Sequence, residues 1–139
     1  MTGLLKGEAR ILPLSRTAAS ALRTLAITSE GLEALFDRFG DGPFRDAFER
    51  LVQQIYRLRG RVIVTGMGKS GIIGRKLTAT LTSTGTPSMF LHPAEAGHGD
   101  LGMITDKDLV LMITLSGESA ELAPIITYCK RFGIPTAAI

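Results

Sequence analysis

The stretch "RVIVTGMGKSGIIGRKLTATLTSTG", residues 61–85, changes character twice. "RVIVT" is a short β-branched run, the kind of segment that packs on a pleated surface. "GMGKSG" is a glycine-rich turn, and "GIIGRKLTATLTSTG" reads as a helix with Gly85 as its stop. The same alternation continues downstream. "PSMFL", "DLVLMIT" and "TAAI" read as three further strands, and "SAELAPIITYCKRFGIP" as a helix closed by Gly133. "HPAEAGHGDLGMITDK", between the second and third strands, reads as loop or short helix. Strands this apolar, alternating with helices, predict an α/β domain with a parallel sheet covered on both faces.

Upstream, the period is helical. Leu22, Leu25, Ser29, Leu32, Phe36 and Phe39 follow at steps of three and four, one stripe interrupted only by Ser29. "GDGP", from Gly40 to Pro43, stops that helix and starts another, because Gly suits a C-terminal cap and Pro the first turn of the next helix. Phe44, Ala47, Phe48, Leu51, Val52, Ile55 and Leu58 repeat the stripe. The chain thus reads as one domain, with a helical part over 1–59 and a β/α part over 60–139. Its last strand ends at Ile139 with nothing after it to cover the sheet, so the C-terminal end of the domain is expected to be missing.

Bulk properties narrow the function. At 139 residues, 45% hydrophobic and 21% charged, the chain is long and apolar enough to bury a core. Its single Cys129 allows no internal disulfide. The net charge of +3 comes from the helical front, where residues 1–61 hold ten Lys/Arg against seven Asp/Glu; residues 62–139 hold six of each. No basic run concentrates the excess, which argues against nucleic-acid binding. Lys6, Glu8, Arg10 and Arg16 interrupt the start, and "LVLMITL" is only strand-length, so no membrane segment or export signal is read and a cytoplasmic location is expected.

The glycine turn has the letters of two phosphate-binding loops. A Walker A loop needs Gly five residues before its "GKS" glycine, where this chain has Ile63 inside a strand. Gly66, Gly68 and Gly71 match the dinucleotide pattern, yet "PSMFLHP" lacks the carboxylate that would hold a ribose hydroxyl. The common physics survives: a strand entering a glycine turn and then a helix offers free N–H groups and a positive dipole end to an anion. Lys69 and Ser70 add a charge and a hydroxyl there. "TLSGES", Thr114 to Ser119, follows the third strand in the same way, with Thr114, Ser116 and Ser119 around Gly117. Its hydroxyls can bind an anion or simply cap the next helix, with Glu118 or Glu121 in the first turn. Ligands in open α/β sheets bind at the carboxyl edge, where both loops fall.

"HPAEAGHGDLG" supplies His92, Glu95, His98 and Asp100. Their spacing matches no established metal pattern, so no metal site is read here. His92 before Pro93 reads as structural; His98, between Gly97 and Gly99, reads as a catalytic candidate because small neighbours let a ligand approach.

"GMGKSG", "STGTPS", "HGDLGM" and "SGESAE", in that order, resemble the sugar isomerase (SIS) domain of the D-arabinose 5-phosphate isomerases. The resemblance runs from about Arg61 to Ile139, and the two front helices also suit the family. It implies a three-layer, flavodoxin-like parallel sheet. It also implies interconversion of D-ribulose 5-phosphate and D-arabinose 5-phosphate, serving the eight-carbon sugar acid (Kdo) of lipopolysaccharide, or capsule. By position it places Gly68, Ser70, Thr114, Ser116, Gly117 and Ser119 around the sugar phosphate. Lys69, His98 and Glu121 fall in the catalytic pocket, with Glu95 as a further candidate. The chemistry agrees: moving a carbonyl between C1 and C2 through a cis-enediol needs a carboxylate or imidazole to carry the proton and a cation to hold the oxygen charge, with no cofactor. Glu121, read in the first turn of a helix, would be kept ionised by the dipole. Members of the family associate as dimers or tetramers, and the long helical stripes fit such contacts. They also continue past this point, with a further Glu and His in the active site and usually a pair of CBS modules. The alternative is a non-catalytic SIS module that senses a sugar phosphate as a regulator; such modules do not need Lys69, His98 and Glu121 together.

Overall fold

A computed structural model of the chain describes residues 15–139; the interrupting residues Lys6, Glu8 and Arg10 lie outside them. These residues divide into two compact units within the second helix, one ending at Ala47 and the other spanning Phe48–Ile139.

Helix α1 (Arg16–Gly40) starts where the Ser15 hydroxyl accepts the Ala18 N–H at 3.2 Å, an N-cap of the usual kind. It buries none of its residues, and Leu25, Leu32 and Phe36 of its apolar stripe stand exposed. The stop differs from expectation. Gly40 is the last helical residue and keeps a negative φ, and the chain leaves through Asp41 in an extended conformation. A left-handed glycine is unnecessary because the Asp41 N–H still bonds to the Arg38 carbonyl, at 3.1 Å. Pro43 takes the first turn of α2 (Gly42–Tyr56), as expected. Leu58 falls beyond that helix but still packs.

Four parallel strands form the sheet: β1 (Val62–Thr65), β2 (Ser88–Leu91), β3 (Leu109–Met112) and β4 (Thr136–Ala138), in spatial order β2-β1-β3-β4. The register runs Val62 beside Ser88 and Leu109, and Val110 beside Thr136. Because every β1 and β3 residue is buried on one face or the other, both read as apolar runs, broken only by Thr65 at the end of β1. Val62, Val64, Leu109 and Leu111 meet Leu51 and Ile55 of α2 and Leu77 and Leu81 of α3 (Gly68–Ser83). On the other face, Ile63, Val110 and Met112 meet Ala96 of the short α4 (Pro93–Ala96) and Ile125 and Cys129 of α5 (Ala123–Phe132). The result is the three-layer α/β sandwich that the apolar runs predict.

At the amino edge of the sheet sits a feature that composition hides. Asp108, buried, accepts the Arg61 N–H at 2.7 Å through Oδ1, and the Thr105 N–H and hydroxyl at 2.8 and 3.0 Å through Oδ2. The Arg61 guanidinium adds a longer contact at 3.4 Å while donating to the Met103 carbonyl at 2.8 Å. Burial alone would raise the Asp108 pKa, but the four donors outweigh it and hold the carboxyl below its ordinary value. The clamp ties the starts of β1 and β3 together, opposite the edge where ligands are expected.

Candidate functional site

The strand order decides where a ligand can sit. From β1 the chain crosses through α3 to β2 on one side; from β3 it crosses through α5 to β4 on the other. The chain therefore diverges between β1 and β3, and the crevice at a sheet's carboxyl edge opens at such a switch point. The loops after β1 and β3 are the two that the sequence singles out.

They abut directly. The Ile113 N–H bonds to the Thr65 carbonyl at 2.8 Å, and a methyl group placed on Gly66 would lie 2.9 Å from the Ile113 carbonyl oxygen. A Cβ on Gly71 would lie 2.5 Å from the Gly66 carbonyl, so these two glycines let α3 begin against its own strand and against the neighbouring loop. Gly68 opens α3 with φ +56°. Lys69 and Ser70 follow in its first turn, Lys69 exposed and Ser70 half-buried, among the N–H groups a helix leaves free. Thr65, the last residue of β1, is fully buried, and its hydroxyl has no hydrogen-bond partner among the described residues.

Hydroxyls shape the second loop. Thr114 Oγ1 and Ser119 Oγ lie 3.2 Å apart, and Thr114 Oγ1 also accepts the Gly117 N–H at 3.2 Å. Ser116 Oγ accepts the Glu118 N–H at 3.2 Å, which leaves its own proton for an incoming oxygen. Gly117 takes φ +73° at the tip of the turn. Two expectations need correction here. Ser119 precedes the next helical turn but makes no side-chain cap, because its hydroxyl is engaged with Thr114. Glu121 lies not in the first turn of α5 but in a 3-10 turn, Ala120–Leu122, ahead of it. Pro124 sets the start of α5 at Ala123, so Glu121 precedes that helix instead of lying in its first turn.

The third segment follows β2. His92 is the N-cap of α4, its Nδ1 accepting the Ala94 N–H at 3.2 Å, and its ring meets Phe90 edge-on with centroids 6.4 Å apart. The structural reading of His92 fits this geometry. His98 is exposed, with Nδ1 2.8 Å from the Ala94 carbonyl oxygen. Glu95 is exposed on α4, and Asp100 starts a 3-10 turn, Asp100–Met103. Gly68, Lys69 and Ser70 follow one, and Thr114, Ser116, Gly117 and Ser119 lie on the other, of the two loops that touch at Gly66 and Ile113. His98 and Glu121 lie on segments that leave the same edge of the sheet. Among the described residues, no hydrogen bond or ion pair joins Lys69, His98 and Glu121 to one another, and no three His, Cys, Asp or Glu side chains gather as a metal site. The sequence reading missed the Gly66–Ile113 contact and the buried Thr65 hydroxyl. Only strand adjacency creates them.

The SIS domain family matches residues 54–139. The chain belongs to the SIS domain family. Two curated relatives are similar over most of its length: arabinose 5-phosphate isomerase KdsD of Pseudomonas aeruginosa, 47% identical over 115 residues covering 83% of this chain and 34% of the relative, and arabinose 5-phosphate isomerase KpsF of Escherichia coli, 48% identical over 120 residues covering 86% and 36%. This SIS chain therefore spans about a third of the length of these relatives. Among solved structures, an E. coli CFT073 protein in complex with arabinose 5-phosphate aligns with a TM-score of 0.74 and 39% identity, over 90% of this chain and 65% of that one.

Proposed function

We propose that this SIS domain is the sugar-phosphate-binding part of an aldose-ketose isomerase that interconverts D-ribulose 5-phosphate and D-arabinose 5-phosphate. The observation that carries the reading is the meeting of the two loops at the switch point, where Gly66 has no room for a side chain against Ile113. A phosphate there meets the free N–H groups at the start of α3, the Ser70 hydroxyl and the donor proton of Ser116. The neighbouring Gly117, Thr114 and Ser119 hold that hydroxyl loop in shape. The names of the 47–48% identical relatives and the sugar-phosphate complex of the structural neighbour support the same substrate class.

The chemistry follows from the side chains at that edge. A base removes a proton from C1 of the ketose; the C–H electron pair becomes the C1–C2 double bond, and the former carbonyl oxygen takes the charge. Lys69, an exposed ammonium in the first turn of α3, steadies that oxygen. The proton of the C1 hydroxyl passes to that oxygen, which moves the charge to O1; as the C1–O1 carbonyl forms, the pair of the C1–C2 double bond takes a proton at C2, and the product is the aldose. Glu121 and His98 are the proton carriers on the two other segments at the edge, and Glu95 is a further candidate.

We further propose that residues 1–139 form one SIS domain whose helical part, 1–59, mediates self-association, since α1 leaves Leu25, Leu32 and Phe36 uncovered. The enzyme would work in the cytoplasm, without a cofactor, feeding synthesis of the eight-carbon sugar acid of lipopolysaccharide or capsule. No helix among the described residues is long and apolar enough to cross a membrane. Calorimetric titration tests the binding claim. D-arabinose 5-phosphate should bind, D-arabinose should not, and Ser116→Ala should weaken the sugar phosphate several-fold by removing about 1 kcal/mol of hydrogen bonding. Equal binding of the sugar with and without its phosphate would overturn the assignment.

A further inference from the structure

The chain has two histidines, and both bond to one backbone residue. His92 Nδ1 accepts the Ala94 N–H at 3.2 Å, whereas His98 Nδ1 lies 2.8 Å from the Ala94 carbonyl oxygen. An amide N–H only donates and a carbonyl only accepts. The two contacts therefore require opposite ring states: His92 carries its proton on Nε2, and His98 carries its proton on Nδ1. We infer that His92 is a positioning residue for His98, acting through Ala94 to hold the tautomer in which Nε2 of His98 is the basic nitrogen. This rests on the reading of His98 as a proton carrier in the isomerase.

Each link has a physical cause. Pro93, buried at the first position of α4, brings no N–H of its own, and the His92 ring accepts the next one along, that of Ala94. The ring is held in turn by Phe90, which packs against α3: a Cβ on Gly74 would lie 3.0 Å from the Phe90 ring, and the Arg75 guanidinium sits 4.3 Å from its centroid. The helix that presents Lys69 and Ser70 thus also braces the histidine that fixes the α4 turn. The free neutral histidine side chain favours the proton on Nε2, so His98 is held in its less common form. When Nε2 accepts a proton, the Nδ1–H bond to Ala94 persists and stabilises the imidazolium, the service a carboxylate or carbonyl gives other catalytic histidines.

Nitrogen-15 NMR reads the tautomers directly, and with only two imidazoles one variant assigns both. The spectra are recorded at about pH 8.5, two units above the ordinary imidazole value. The full chain should show the protonated, pyrrole-like nitrogen at Nδ1 for His98 and at Nε2 for His92. His92→Ala removes the cap of α4 and should move the majority of His98 to the Nε2–H form; His92→Asn, which can still accept from Ala94, should keep it Nδ1–H. The inference is overturned by a wild-type His98 protonated on Nε2, by His92→Ala leaving His98 wholly Nδ1–H, or by loss of that form in His92→Asn. If His92→Ala does not fold, the wild-type and His92→Asn spectra decide alone. These readouts need no turnover, so failure of the isomerase reading would appear separately, as correct tautomers without catalysis.

Discussion

Replacing Asp108 by Asn should lower stability by about 2–4 kcal/mol without touching the ligand edge of the sheet. Asn keeps one carbonyl oxygen, which can still take the Arg61 N–H now at 2.7 Å. Its NH2 then faces the Thr105 N–H, which bonds to the other carboxylate oxygen at 2.8 Å, and two donors confront each other. The Thr105 hydroxyl, at 3.0 Å, can rotate and accept. The Arg61 guanidinium, at 3.4 Å on a partly exposed side chain, contributes little. One charge-assisted bond lost is worth roughly 1.5–3 kcal/mol, and the Thr105 N–H left facing the Asn amide adds to it. Urea titration should show a lower midpoint with an unchanged slope. The pH dependence has a definite sign. Because the folded carboxyl titrates below its ordinary value, its contribution is complete above about pH 4 and fades as pH falls through the folded pKa. The gap between wild type and D108N should hold from about pH 8 to 5 and close below about 4. Equal midpoints at neutral pH, or a gap that widens in acid, would refute the clamp.

Three further outcomes are expected. Gly71→Ala places a Cβ 2.5 Å from the Gly66 carbonyl, so it should cost about 1–3 kcal/mol and weaken D-arabinose 5-phosphate binding, both measurable by thermal shift with and without ligand; no change in either would contradict the close approach. Lys69→Ala, at an exposed position, should leave stability within about 0.5 kcal/mol while lowering turnover at least ~100-fold, and retained activity would remove Lys69 from the mechanism. Cys129 is fully buried, which pushes its thiol pKa up, so a disulfide reagent should label it only as urea unfolds the chain; rapid labelling of the folded protein would contradict the packing of α5.

How much of this was legible depended on whether the signal was local. β1 and β3 announced themselves because a strand buried on both faces favours a run of apolar residues, which "LVLM" supplies throughout and "VIVT" at all but its last position, Thr65. α5 was bounded by Gly133, which takes the left-handed conformation at its end, φ +65°. Its start was misread because Ala120 to Leu122 carry the same residue types as a helix, and the 3-10 turn depends on Pro124 and on the Thr114–Ser119 contact. Asp108 sits in "DKDL", which in isolation looks like a solvated turn; only the pairing of β1 with β3 brings Arg61 to it. In the candidate site, residue types and loop positions were readable. The adjacency of Gly66 with Ile113 and the shared use of Ala94 by two histidines were not, since each joins segments that only the fold brings into register.

The most direct measurement is to incubate the protein with D-ribulose 5-phosphate, without added metal or cofactor, and follow the sugar phosphates by NMR. D-arabinose 5-phosphate should accumulate toward equilibrium with wild type and not with Lys69→Ala. No aldose from wild type, or equal amounts from wild type and Lys69→Ala, would contradict isomerisation at the meeting point of the β1 and β3 loops.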